Sequence, residues 1–171
     1  MNRGVDVPGW QEIVNEHGPD AYRAAWRILG QSQDCEDVLQ DAFMEFYRFF
    51  AAGRIVQPKA FLFRIVTYRA LDALRRREPH GEIDTSILLD HSIGPVEQAI
   101  EIEEELRMRS IVSQLPARQA AVFCLSHFEE FTHVEIATAL DITMNAVAMA
   151  LHKARTKLRE SMTIAIPENH Q

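Results

Sequence analysis

Apolar residues recur at intervals of three and four along almost the whole chain, and no stretch alternates for long enough to suggest a sheet. That periodicity confines the protein to an all-α fold. With 47% hydrophobic residues in 171, the chain has ample apolar surface for packed cores.

The most specific segment runs from Thr132 to Arg159. Thr132 and Glu135 have the spacing of a capping box, in which each side chain satisfies a backbone donor at a helix start. A helix is therefore predicted from about His133, with Val134, Ile136, Ala137 and Leu140 on its apolar side. Asp141 follows where a left-handed residue is wanted, a conformation Asp tolerates better than most. Thr143 then caps a second helix. At 3.6 residues per turn, Val147, Ala150, Leu151, Ala154 and Leu158 share one face. Asn145, Ala148, Met149, His152, Arg155, Thr156 and Arg159 share the other, with Lys153 adjoining them. Two short helices and a tight turn, the second ending in cations, form a helix-turn-helix that can set base-reading residues and phosphate-binding cations in a major groove. The plainer alternative is a helical hairpin whose basic end complements the helix dipole.

The net charge of −7 is unevenly distributed. Of the 25 acidic residues, eight lie between Gly81 and Glu105, where no Lys or Arg occurs. The flanking blocks are near neutral to slightly basic. The expected organisation is two small helical domains, residues 1–80 and 106–162, joined by an acidic linker at 81–105 and followed by a tail, 163–171, of no legible role. Met1 to Gln11 lacks a basic segment followed by an apolar one, and no uncharged apolar run has the length of a membrane span. A cytoplasmic protein without membrane insertion is expected. Cys35 and Cys124 read as small core residues, with no structural disulfide. The seven histidines are scattered and no phosphate-cradling glycine loop or catalytic acid pair is present, so neither enzyme activity nor a cofactor is expected. Cys124, His127 and His133 lack a fourth ligand, and no metal is expected.

In the amino-terminal module, Tyr22, Ala25, Trp26 and Leu29 have helical offsets, and Gly30 stands where a helix would stop. From Asp34 to Phe50, Leu39, Ala42, Phe43, Phe46 and Phe50 make a broad apolar face. Asp37, Gln40, Asp41, Met44, Glu45 and Arg48 cluster opposite, as a wet helix face or a partner surface. A helix from about Lys59 to Arg77 is apolar around its circumference at Phe61, Leu62, Ile65, Val66, Ala70, Ala73 and Leu74, so it must be packed on more than one side. A stripe of Arg64, Tyr68, Leu71 and Arg75, followed by Arg76 and Arg77, interleaves cations with an aromatic ring. That pattern suits single-stranded nucleic acid, although the helix dipole and a core tyrosine would explain it too.

The stretch Ala21 to Arg77, with DCEDVLQDAFMEFYR, FLFRIV and ALDALRRR, resembles region two of a bacterial sigma factor of the extracytoplasmic-function group. Leu115 to Glu160, with LPARQAAVF, THVEIATALDIT and LHKARTKLRE, is similar to region four of the same group. The resemblance implies a promoter-specificity subunit that binds core RNA polymerase and opens promoter DNA. Asp37, Gln40, Asp41 and Glu45 would dock on the polymerase. The loop Ala51 to Lys59 and the helix carrying Arg64, Tyr68, Arg75, Arg76 and Arg77 would hold the minus-ten strand. Asn145, Ala148, Met149, His152, Lys153, Arg155 and Arg159 would meet the minus-thirty-five element. An anti-sigma factor is a further implied partner. Two departures stand out. Phe61, Thr67 and Tyr68 replace the family's common Trp, Arg and Asn, and Asn145-Ala146-Val147-Ala148-Met149-Ala150 replaces Gly-Thr-Val-Lys-Ser-Arg. A free-standing helix-turn-helix regulator and a sigma-like protein that binds polymerase without reading promoters are the alternatives.

Overall fold

The computed structural model describes residues 9–77 and 94–163, and within them the chain is entirely helix, turn and loop. The elements are α1 (Trp10–Leu29), α2 (Ser32–Ala51), α3 (Pro58–Arg76), α4 (Pro95–Gln114), α5 (Ala117–His127), α6 (His133–Leu140) and α7 (Met144–Thr163). Part of the predicted linker, 81–93, and the tail beyond 163 lie outside the described residues. Helix α4 begins at Pro95, so Glu101, Glu103, Glu104 and Glu105 sit inside a helix that crosses the boundary expected at 105.

Helix α1 ends as its sequence predicts: Gly30 takes φ +67° and donates its N–H to the Trp26 carbonyl. Its start is less legible, because α1 runs back through Gly18 and Pro19 to Trp10. Tertiary packing outweighs the break. Ile13 is fully buried, and the Trp10 ring lies 5.0 to 6.1 Å from the rings of Phe43, Phe46, Tyr47 and Phe50. Burying such side chains contributes about 1.5–3 kcal/mol each, against about 3 kcal/mol for an interior proline.

Helix α3 is the centre of the molecule. It packs on α1 and α2 and, on its other side, on α4, α5 and α6. This explains why its apolar residues go all round: Leu62, Phe63, Ile65, Val66, Thr67, Ala70 and Leu71 are all buried. Leu71 therefore belongs to the core and interrupts the stripe drawn through Arg64, Tyr68 and Arg75. The two helical modules do not stand apart. One continuous core runs from Ile13 on α1 to Leu158 on α7.

Where the halves meet, the Phe63 and Phe131 rings are 5.3 Å apart and the Lys59 ammonium sits 5.9 and 5.6 Å from their centres. Arg27 donates from Nη1 to the Phe128 carbonyl at 2.5 Å and to Glu129 at 3.1 Å. Arg109, only 7% exposed, donates to the Arg27 carbonyl at 3.3 Å and to Glu105 at 3.1 Å. Arg77 donates to the Leu29 carbonyl at 2.6 Å, so cations from two other elements complete the carboxyl end of α1.

Candidate nucleic-acid interface

The helix-turn-helix forms on the residues that announce it. The Thr132 N–H donates to Glu135 Oε2 at 2.8 Å, and the Glu135 N–H returns to Thr132 Oγ1 at 3.3 Å. The bonds that Oε2 accepts, from the Thr132 N–H and from the Thr132 hydroxyl at 2.9 Å, hold the Glu135 carboxyl below its ordinary value. Asp141 takes φ +54°, and the Ile142 N–H reaches back to the Ala137 carbonyl at 3.0 Å. Thr143 Oγ1 accepts from the Ala146 N–H at 3.1 Å, starting α7 at 103° to α6.

Val147, Ala150, Leu151, Ala154 and Leu158 are buried, as their spacing requires. Asn145, Ala148, Met149, His152, Lys153, Arg155 and Arg159 all face solvent. Lys153, Arg155 and Arg159 form no ion pair among the described residues, which leaves a cationic ladder open to an anion. One expected core residue is displaced: Val134 is 58% exposed, because Ile136, Ala139 and Leu140 fill the space beneath this short helix.

On α2, Asp37 and Gln40 are exposed while Asp41 and Glu45 share Arg69 of α3. The guanidinium reaches Glu45 Oε2 at 2.6 Å through Nη2 and 2.9 Å through Nε, and Asp41 at 3.4 Å. Arg69 did not stand out in the sequence. Its place opposite two carboxylates becomes visible only once α2 and α3 are packed.

The basic end of α3 divides. Arg64 and Tyr68 are half-buried and Arg76 is exposed, its Nε donating to the Asp72 carbonyl at 3.3 Å. Arg75 donates instead to the carbonyls of Ser113, at 3.3 Å, and Leu115, at 2.8 Å, which ties α3 to the α4–α5 junction. Arg77 is paired with Asp34. In this conformation the cations of the predicted strand-binding stripe serve two purposes, some facing solvent and others holding helices together.

Phe128, Glu129 and Phe131, on the loop before α6, take part in the contact between the halves and went unnoticed in the sequence. Burial pushes the Glu129 carboxyl above its ordinary value, with Arg27 pulling it partly back. His127 stacks on Phe123 at 5.0 Å. Among the described residues no group of three or more His, Cys, Asp or Glu side chains converges as a metal site would require, and no single helix is long and apolar enough to cross a membrane.

Comparison with known proteins agrees with this geometry. Residues 13–79 match the family model of sigma-70 region 2, and residues 105–158 match that of sigma-70 region 4. The chain belongs to the sigma-70 family, in its extracytoplasmic-function (ECF) group. It is 30% identical over 164 residues to the ECF RNA polymerase sigma factor SigE of Mycolicibacterium smegmatis, an alignment spanning 90% of this chain and 62% of that one. Against the ECF sigma factor SigW of Bacillus subtilis it is 22% identical over 169 residues, covering 92% of this chain and 90% of that one. Among solved structures, its fold is similar to that of CnrH in complex with the cytosolic domain of CnrY, with a TM-score of 0.63, 22% identity and coverage of 91% and 88%. It is also similar to RpoE of Bartonella quintana in complex with the anti-sigma factor NepR, with a TM-score of 0.56, 15% identity and coverage of 91% and 98%.

Proposed function

We propose that this chain is a promoter-specificity subunit: it binds core RNA polymerase and directs initiation by recognising and opening promoter DNA. The observation that carries this reading is the presence on one chain, in order, of a region 2 module and a region 4 module whose α7 leaves its reading face and cations open. It performs no reaction of its own. Binding energy from polymerase and from the unpaired strand drives the melting, and it works where polymerase and DNA are, in the cytoplasm.

The proposed docking surface for polymerase is the α2 face of Asp37, Gln40, Asp41 and Glu45. Asp37, Gln40 and Asp41 are exposed, and Asp41 and Glu45 bind Arg69 of α3, which ties α2 to α3. Arg64, Tyr68 and Arg76 are the members of the minus-ten set that already reach the surface. For Arg75 and Arg77 to join them, the first must leave the α4–α5 junction and the second must leave Asp34. Productive engagement therefore involves parting α3 from α4 and α5. A solved relative is described with an anti-sigma factor, and we assign a partner of that class to this chain as well.

Run-off transcription with purified core enzyme on a library of genomic promoters tests the proposal. Specific initiation that depends on the chain is expected, and is lost with Asp37→Arg plus Gln40→Arg without loss of helicity, since exposed helix positions usually tolerate substitution within about 0.5 kcal/mol. Failure to associate with core enzyme, combined with unaided protection of a two-fold symmetric site, would instead identify a free-standing regulator.

A further inference from the structure

The first turns of α7 have an unusual composition for a helix that enters a major groove. Up to His152 the helix contains no Arg or Lys, and every cation it carries lies from Lys153 onward. Arg and Lys are the side chains that most commonly read guanine, through its O6 and N7 acceptors. In their place the solvent face presents Asn145, Ala148 and Met149, with Met149 53% exposed. Asn145 Nδ2 lies 3.8 Å from Met149 Sδ. Sulfur there has no proton to give, so the amide nitrogen rather than its oxygen must face it. One amide proton is thereby spent on Met149. The other proton and the carbonyl oxygen remain for a ligand, and a donor beside an acceptor is the complement of adenine N7 and N6.

We propose that the first two turns of α7 read A·T pairs, with Asn145 bonding an adenine and Met149 lying against the C5-methyl of a nearby thymine, so that the upstream element chosen by this chain is A·T-rich and requires no guanine. Ala148 has too small a side chain to hold the helix away from the base edges. Lys153, Arg155 and Arg159 follow on the same side, where phosphates can be neutralised without sequence preference. The inference rests on the reading above that α7 enters the major groove of an upstream promoter element.

The test uses the full chain with core polymerase and a promoter library randomised upstream. The selected element is expected to be A·T-rich. Replacing thymine by deoxyuridine removes only the methyl group, and at one selected position it should lower initiation about three- to fourfold. That sensitivity should vanish in Met149→Ala and persist in Met149→Leu. Asn145→Ala should reduce discrimination for adenine at a neighbouring position about fivefold or more. Selection of a guanine-containing element, or indifference to deoxyuridine at every position, overturns the inference while leaving the promoter-subunit reading intact. Absence of initiation on every template overturns both.

Discussion

Gly30 shows how much one residue can be asked to do. Its φ of +67° suits glycine, and a Cβ added there would lie 2.8 Å from the Arg109 guanidinium carbon. Gly30→Ala is expected to cost about 1–2 kcal/mol for the left-handed backbone alone, and more if Arg109 is displaced, read as a lower urea midpoint. The two thiols make an opposite case, of residues kept out of chemistry. Burial pushes Cys35 up to about 11 and raises Cys124 further, on a helix enclosed by α3 and α7. Neither should react with an aromatic disulfide reagent at pH 8 except at the rate of global unfolding. Rapid labelling of Cys124 would show that α5 is less enclosed than its burial indicates.

Short elements depend on their ends more than long ones do. Helix α6 spans only His133–Leu140, and its start rests on the reciprocal bonds of Thr132 and Glu135. Thr132→Ala should cost about 1 kcal/mol, measurable by thermal or urea melting. Because the Glu135 carboxyl is held below its ordinary value when folded, its contribution is present above that ordinary value and is lost as pH falls through the lowered one. The capping signal was legible in the sequence because it consists of adjacent residues obeying a local rule. The same holds for Gly30, Asp141 and the buried face of α7. The start of α1 was not legible, since Gly18 and Pro19 argue locally for a break that only the aromatic cluster around Trp10 overrides. Val134 misled for a related reason: helical periodicity identifies a face, but not how far the neighbouring elements cover it.

At the scale of the whole molecule, α3 packs two modules onto one shared core. Both tryptophans, Trp10 and Trp26, lie on α1, so tryptophan fluorescence follows the first half and far-ultraviolet dichroism follows both. The two signals are expected to trace one superimposable urea transition. Separate transitions would mean that the shared core is not energetically coupled. The Arg27–Glu129 bond at the junction has a definite sign. Glu129 holds its proton more tightly when folded, so its contribution is complete below the ordinary value of 4.5 and is lost as pH rises through the raised one. Near neutral pH, Glu129→Gln should therefore be neutral or stabilising by up to about 1 kcal/mol and should flatten the pH dependence of unfolding. Arg27→Ala strands a carboxylate that is mostly out of water and should cost about 1–2 kcal/mol, a range reduced because Arg27 itself is partly exposed. Of the candidate site, the α7 face was readable because exposure there follows from helical period alone. The employment of Arg69, Arg75 and Arg77, and the junction made by Phe128, Glu129 and Phe131, were not. Helical periodicity and the caps at Gly30, Thr132 and Asp141 rest on neighbours a few residues apart, and the sequence determined them by itself. Which cations face water and which bind carbonyls depends on surfaces brought together from distant parts of the chain, and only the tertiary structure decided that.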